Sequence, residues 1–178
     1  MKFTATLDKS SKLITSLTTA IYMALFSYFV YQVLKKGLIS NELLGMLVLS
    51  ITYFGFYINW IKGYTITKGA VIVIRPLKYR RIAINRKDIL QVKIISRHDI
   101  IPSIRRLGFG GIFGYHGYFV NSSLGGMNWY LTNRDRPVLL TTVNNINIIL
   151  SPDNATAFIE ALANDGGAKE NVNTELPR

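Results

Sequence analysis

The chain has 178 residues, a formal net charge of +11 and no cysteine. The lack of cysteine excludes disulfides, thiol catalysis and zinc–thiolate sites. The charge is unevenly distributed: residues 1–62 carry six lysines and two acidic residues (+4), residues 63–150 carry thirteen basic and three acidic residues (+10), and residues 151–178 carry two basic and five acidic residues (−3). The strongly basic middle part suits a surface of anionic lipid.

Two long uncharged stretches follow a polar segment of twelve residues, which we expect to lie at a membrane interface. The first runs from residue 13 to 34 and the second from 43 to 61. A helix rises about 1.5 Å per residue, so roughly 20 apolar residues cross the hydrocarbon core of a bilayer. Residues 1–62 are therefore predicted to form a transmembrane helical hairpin.

Two other interpretations of these stretches are less favourable. A cleaved signal peptide would have a shorter apolar part and a small-residue cleavage site, whereas the first stretch ends at Lys35-Lys36. A buried hairpin of a soluble protein would need a large covering domain, and the residues after 62 read as β structure with a core of their own. The membrane interpretation is the better one.

The distribution of lysine and arginine predicts the orientation of the hairpin. Basic residues precede the first helix and follow the second: Lys2, Lys9, Lys12, Lys62, Lys68 and Arg75. The turn between the helices holds Lys35 and Lys36 beside Glu42. We expect a multi-pass protein of the cell inner membrane, with both termini cytoplasmic.

Small residues recur along one face of each predicted helix. They are Ser16, Ala20, Ala24 and Ser27 in the first helix, and Gly45, Thr52, Gly55 and Asn59 in the second. Small side chains let helices approach closely in lipid, so the two faces are predicted to meet. Asn59 is expected at headgroup depth, where it would be solvated.

Short β-branched and alternating segments after residue 63 indicate about seven strands. The predicted strands are 64–67, 70–75, 80–84, 89–95, 128–132, 138–142 and 146–150. A tight hairpin is expected at 133–136. A final helix is predicted from an N-cap at Ser151, before Pro152, and residues 165–178 are predicted to be a disordered tail.

The least regular part of the chain, residues 97–126, contains a glycine-aromatic segment. Five glycines fall within residues 108–117, among large aromatic side chains. The segment could be a loop for a ligand or a partner, since glycine lets a backbone approach a ligand closely. The favoured interpretation is a bulged strand pair whose aromatic residues fill the core or touch the bilayer.

Several segments resemble one known family. They are Tyr64-Thr65-Ile66-Thr67, residues 71–74, Ile84-Asn85-Arg86-Lys87-Asp88-Ile89, residues 113–119, Tyr130-Leu131-Thr132-Asn133-Arg134, residues 148–153 and Phe158-Ile159. In this order they resemble the bacterial PH-like (pleckstrin-homology-like) domains that follow membrane helices, over residues 63–163. The resemblance implies a membrane-associated, non-catalytic domain and supplies no defined set of binding residues.

The expected architecture is therefore membrane-anchored: a two-helix transmembrane hairpin, then an α+β PH-like domain over residues 63–164. That domain would hold about seven antiparallel strands in meander order and one C-terminal helix.

Candidate ligand-binding residues lie in and beside the glycine-aromatic segment: Arg105, Arg106, Phe109, Tyr115 and His116. The two arginines could hold an anionic headgroup by bidentate bonds, with Arg80, Arg81, Arg86 and Lys87 adding to the same surface. The alternative is a solvated basic face near lipid. His98-Asp99 and His116 form a poor acid–base constellation, and they lack the further ligands that a metal would need. We expect no catalysis, no metal and no cofactor.

The expected function is that of a binding or scaffolding module at the membrane surface, with the bilayer, a protein partner or a second copy of the chain as partner. The alternative is recognition of an anionic lipid headgroup or a small anionic ligand by the basic glycine-rich segment. Nucleic acid is not expected, because Tyr79-Arg80-Arg81 alone does not make a known binding module.

Overall fold

A computed structural model describes residues 1–37 and 41–164. The elements in chain order are β1 (Lys2–Thr4), α1 (Lys9–Lys36), α2 (Asn41–Ile58), β2 (Gly63–Ile66), β3 (Ala70–Ile74), β4 (Ile82–Asn85), β5 (Ile89–Ile94), α3 (Arg97–Ile100), β6 (Ile104–Gly111), β7 (Gly114–Asn121), β8 (Gly125–Leu131), β9 (Val138–Thr142), β10 (Asn147–Leu150) and α4 (Ala155–Asn164). Short 3-10 turns at Lys78–Arg80 and Arg86–Asp88 flank β4. The predicted disordered tail, 165–178, lies outside the described residues.

The helices α1 and α2 are adjacent, and both are long and apolar enough to cross a membrane. Their contact differs from the predicted one on the α1 side. Tyr22 packs against Tyr53 and Thr52, and the Phe29 ring lies over Gly45, whereas the predicted small-residue face of α1 is exposed. Large aromatic side chains therefore fill the space between the helices, and the prediction was wrong for α1.

The first sheet contains the N-terminus. Its order is β1-β2-β3-β4, and all its neighbours are antiparallel. Phe3 of β1 lies opposite Tyr64 of β2, and the Met1 amine donates to the Ile66 carbonyl at 2.7 Å. The first residues therefore belong to the first sheet of the β domain, and their position at the membrane interface stays a prediction.

The second sheet has the order β5-β9-β10-β8-β7-β6. β10 lies between β8 and β9 and pairs with β8 in parallel, so 133–136 is a crossover and not a tight hairpin. Val138, Leu139 and Leu140 of β9 are all buried, because Val138 and Leu140 pack in one hydrophobic cluster and Leu139 packs in another on the opposite face of the sheet. The described residues form ten strands where about seven were expected, because β1 was missed and the glycine-aromatic segment forms β6 and β7.

Two hydrophobic clusters stabilise the domain. The first joins the two sheets and α4: Tyr64, Val71 and Val73 pack with Phe158. The second is centred on the stacked rings of Phe119 and Trp129, whose centroids are 4.0 Å apart. Buried aromatic pairs of this kind contribute about 0.5–1.5 kcal/mol beyond the area that they bury.

The helix α4 begins later than predicted. Asn154 is its N-cap, since its Oδ1 accepts from the Ala157 N–H at 3.0 Å. The Ser151 hydroxyl is unavailable for this role because it accepts from the Thr132 N–H at 2.8 Å. At the other end of α4, the buried Arg86 guanidinium donates to the Leu162 carbonyl, so this arginine supports the fold instead of adding to a basic surface.

Candidate functional site

The tip of the β6–β7 hairpin meets both long helices at the end nearest the domain. We call this region the junction: residues 8–15 at the start of α1, residues 53–60 at the end of α2 and residues 108–116 of the hairpin. Because β6 and β7 pair with a register shift between Arg105 and Leu107, the prediction of a bulged strand pair is confirmed. Its aromatic residues fall on two faces, as strand alternation requires.

Asp8 fixes the start of α1 against the second sheet. Its carboxylate caps the helix by accepting from the Ser11 N–H at 2.6 Å, and it accepts from the Tyr115 hydroxyl at 3.3 Å. Arg134 completes the group with an ion pair to Asp8 at 3.2 Å, while its guanidinium lies 4.5 Å from the Tyr115 ring centroid. Burial raises the pKa of Tyr115 to about 12, and the Asp8 charge acts in the same direction, so this phenol remains a neutral donor.

The hairpin tip is bonded directly to α1. The Gly111 carbonyl accepts from the Ser11 hydroxyl at 2.6 Å and from the Thr15 hydroxyl at 3.4 Å. Thr15 Oγ1 also accepts from the Phe113 N–H at 2.9 Å. Gly111 has a φ of +102°, which favours glycine, and a Cβ there would come within 2.8 Å of Ile14 Cδ1, so that side chain would have to move.

Phe113 inserts between the hairpin and α2. Its ring lies 6.0 Å from Tyr53, 6.3 Å from Tyr57 and 5.6 Å from Trp60, measured between centroids. The residue also has a positive φ of 54°, which is strained for a bulky side chain. Strain of this kind persists only where the surrounding packing determines the conformation, so the aromatic cluster holds the turn.

One face of the hairpin borders an open cleft of about 510 Å³. Arg105 and Arg134 provide its charge, and Tyr115 and Trp129 line it from the sheet. The Trp129 Nε1 donor is buried and has no acceptor among the described residues. The cleft can therefore offer two guanidinium groups to an anionic ligand.

The other face of the hairpin packs on α2. The Phe109 ring meets Phe56 edge-on at 5.2 Å and lies 5.1 Å from the His116 ring. Burial lowers the pKa of His116 to about 4, and the charges of Arg75 and Arg80 act in the same direction. His116 is therefore neutral at physiological pH.

The five predicted site residues do not form one site. Arg105 and Tyr115 border the cleft, whereas on the opposite face Phe109 packs against Phe56 of α2 and His116 lies against Phe109. Arg106 lies at the bulge of the exposed edge strand β6. These five residues therefore lie on different parts of the hairpin.

Sequence reasoning missed the polar residues that hold the junction together, which are Asp8, Ser11, Thr15, Asn59 and Arg134. Asp8 carries a local signal, since an aspartate three residues before Ser11 at the start of a helix is typical of an N-cap. The others bond to residues far away in the chain, and no local pattern identifies them. Asn59 was expected to be solvated, but its Oδ1 accepts from Arg75 and Arg80, each at 3.2 Å.

The junction and the cleft present groups that can bind an anion. Within residues 1–37 and 41–164, no three His, Asp or Glu side chains come together in a way that could hold a metal ion. The cleft and the α2 face instead present arginines, hydroxyls and neutral ring donors, which suit an anionic group.

Comparison with known families agrees with the sheet and helix order. The family model described as Bacterial PH domain matches residues 62–165, which is more than half of the chain. No curated protein and no solved structure matches the chain. PH domains are in general binding modules without catalytic activity. The chain belongs to the bacterial PH domain family.

Proposed function

We propose that the protein is a non-enzymatic integral membrane protein. The helices α1 and α2 form the membrane hairpin, and residues 63–164, with β1 paired to their first sheet, form a PH-like domain that binds or scaffolds at the cytoplasmic surface. The observation that carries this proposal is the exposed apolar surface of α1 and α2, whose most apolar windows are not buried by any part of the described chain.

The exposed side chains of the helices are large and lie on all sides of the pair. They include Leu13, Leu17, Ile21, Met23, Leu25, Phe26, Leu34, Leu43, Leu44, Leu47, Val48, Ile51 and Phe54. Leaving such surface in water costs about 25 cal/mol per Å². A bilayer removes this cost, because lipid tails are as apolar as the side chains.

The domain is held at a defined position relative to the helices. Ser11 and Thr15 bond the hairpin tip to α1, and Phe113 fixes it to α2. β1 pairs with β2, so the N-terminus lies on the same side of the helices as the domain. Placement of this kind raises the effective concentration of the domain at the membrane and presents one surface to partners.

The edge strand β6 is the surface that we assign to a protein partner or a second copy of the chain. Every residue of β6 except Gly111 is exposed, and Leu107 keeps 74% of its surface accessible. Open strand edges offer unpaired backbone groups that can pair with another strand. Arg105 and Arg106 add positive charge at the same edge.

The test is affinity capture of the full-length protein from its native membrane in a mild detergent. The variant Arg105→Gln/Arg106→Gln removes two charges from β6 and leaves the fold intact, because both side chains are exposed. The matched control is Arg81→Gln/Lys87→Gln, which removes two exposed charges elsewhere on the domain. A deletion of residues 103–126 would not be a suitable variant for this test, because it would remove Phe119 from the second hydrophobic cluster and disturb the fold.

We expect a protein that copurifies with the wild type and the control variant, and not with the β6 variant. Identical partners for all three forms would exclude the β6 edge as the binding surface. Extraction of the protein from the membrane by alkaline carbonate would contradict membrane integration.

A second candidate function is the binding of an anionic lipid or a small anionic ligand in the cleft. The two arginines that line this cleft, Arg105 and Arg134, favour it. In the same capture experiment, anionic lipid that is lost only from the β6 variant would support this function. Unchanged lipid content in that variant would exclude Arg105 and Arg106 from lipid binding.

A further inference from the structure

A buried arginine lies where α2 meets the domain. Arg75 follows β3 and retains 7% of its surface. A guanidinium has five N–H donors. Among the described residues, Asn59 Oδ1 accepts from Arg75 Nη1 at 3.2 Å. The buried Nε of Arg75 has no acceptor there. Burial of a guanidinium that lacks both a carboxylate and a full set of acceptors is costly.

A second arginine converges on the same oxygen. Arg80 Nη2 lies 3.2 Å from Asn59 Oδ1. The orientation of the Asn59 amide is determined by its other end, because Nδ2 donates to the Gly55 carbonyl at 2.8 Å. Two cations therefore share one neutral acceptor, and none of the ion pairs given by the described residues includes either arginine.

The groups around the pair are neutral or positive. Burial lowers the pKa of Arg75, and the charge of Arg80 acts in the same direction. His116, on the hairpin face that packs on α2, is held neutral by burial and by these two arginines. Burial raises the pKa of Tyr130, although the Arg75 charge opposes that rise, so this phenol also stays neutral. The region around Arg75 and Arg80 therefore has an excess of positive charge, and its neutral groups can hydrogen-bond to an anion.

We propose that Arg75, Arg80 and Asn59 form a binding site for a phosphate oxyanion, in a monoester, a diester or the free ion. Paired guanidinium groups match the geometry of phosphate oxygens and bind them through charge-assisted hydrogen bonds. The bound anion would supply the missing counter-charge and would accept from the arginines that now share Asn59. The site is separate from the cleft and from the β6 edge.

The position of the site at the end of α2 indicates two sources for the phosphate group, a lipid headgroup and free phosphate. α2 ends at Ile58, and Trp60 follows in the position of an interfacial aromatic residue. A lipid phosphate lies at this depth if the proposed membrane placement holds, whereas free phosphate would reach the exposed Arg80 from water in either case. The lipid source alone rests on the proposed function.

The test uses the full chain in an uncharged maltoside detergent, with two probes in separate titrations: inorganic phosphate and dihexanoylphosphatidylglycerol. Calorimetry measures binding, and the thermal unfolding midpoint gives an independent readout, since a ligand of the native state raises it. Arg80→Gln is the main variant because Arg80 is exposed, and the matched control is Arg81→Gln, its exposed neighbour with the same charge change.

We expect saturable binding of at least one probe, unchanged in Arg81→Gln and weakened about tenfold or more in Arg80→Gln, as the loss of a charge-assisted hydrogen bond predicts. Tighter binding of the lipid probe would identify a headgroup, and tighter binding of inorganic phosphate would identify the free ion. Arg75→Gln, checked for folding by circular dichroism, should abolish binding.

Absence of saturable binding by both probes, or equal weakening in the Arg80 and Arg81 variants, would overturn the proposal. Because the titration is done in detergent without a protein partner, this result is independent of whether the domain acts as a scaffold.

Discussion

At the scale of single residues, Asp8 joins the start of α1 to Tyr115 of β7 and to Arg134 in the connection between β8 and β9 through one buried carboxylate. Asp8→Ala removes a helix cap worth about 1 kcal/mol and leaves Arg134 without its partner, which adds a cost typical of a broken buried pair. We expect the free energy of unfolding to fall by about 2–4 kcal/mol, measured by thermal and denaturant unfolding in detergent.

Asp135→Asn is the matched control for this prediction. Asp135 also pairs with an arginine, Arg97 at 2.7 Å, but both side chains are about half exposed. Exposed pairs contribute about 0–1 kcal/mol, so this variant should be nearly as stable as the wild type. Equal losses in the two variants would show that Asp8 has no special role at the junction.

His116 gives the fold a dependence on pH whose sign follows from its pKa. Burial and the neighbouring arginines lower that pKa to about 4 from the usual 6.5, so the unfolded chain takes up the proton first. The contribution of neutral His116 to the free energy of unfolding is fully present above pH 6.5 and is lost as the pH falls towards 4. We expect a loss of about 1–2 kcal/mol between pH 7 and pH 5 in the wild type, measured by unfolding at each pH.

The variant His116→Gln should lack this step, since glutamine does not titrate. His98 is the second histidine of the chain and is exposed, so His98→Gln should retain the wild-type pH profile. A pH profile that is the same in all three proteins would mean that other groups cause the acid sensitivity.

At the scale of elements, the β6–β7 hairpin depends on two glycines that face each other in register, Gly108 and Gly117. A Cβ at Gly117 would lie 2.1 Å from the Leu107 carbonyl oxygen, and the φ of +133° is itself unfavourable for other residues. Since backbone atoms cannot move aside as a flexible side chain can, Gly117→Ala should cost at least about 2 kcal/mol in unfolding free energy.

Gly69→Ala provides the comparison for this hairpin variant. A Cβ at Gly69 meets nothing within 4 Å, so its effect on the unfolding midpoint should be small. A Gly117 variant as stable as the Gly69 variant would contradict the close approach of the two strands.

The same hairpin shows what sequence reasoning could and could not reach. Alternation and β-branched residues predicted β3 and β5 because these signals are local. The glycine spacing predicted a bulged strand pair, but which aromatic residue faces α2 depends on the register with β7. The insertion of β10 between β8 and β9 is likewise non-local, since a neighbour in the sheet need not be a neighbour in the chain.

The site was harder to predict than the fold for the same reason. Arg75, Arg80 and Asn59 lie in three different elements or connections, and each is ordinary in its local sequence. They are distinguished by their surroundings, because Asn59 accepts from both arginines. Within the described residues, no carboxylate forms an ion pair with either arginine. Such a lack of counter-charge is visible only after folding has brought the groups together.

At the scale of the whole molecule, the proposed membrane placement predicts that the outer ends of α1 and α2 lie on the same side of the membrane, because a short connection joins two helices of spanning length. β1 and β2 pair directly, so the chain before α1 and the domain after α2 must share one compartment. Because the chain has no cysteine, a single introduced cysteine shows on which side of the membrane its position lies, without labelling of other residues. Lys87→Cys marks the domain and Asn41→Cys marks the first turn of α2, and both positions are exposed.

We expect a membrane-impermeant thiol reagent to label Asn41→Cys in intact spheroplasts and Lys87→Cys only in inside-out vesicles. Lysed membranes should label both, which controls for reactivity. Labelling of the two cysteines from one side would mean that the helices do not cross the membrane, and the apolar surface of α1 and α2 would then have to be covered by another protein. Opposite sides would place the domain, with its basic surface, against the anionic cytoplasmic leaflet, where each exposed lysine or arginine gains about 1 kcal/mol.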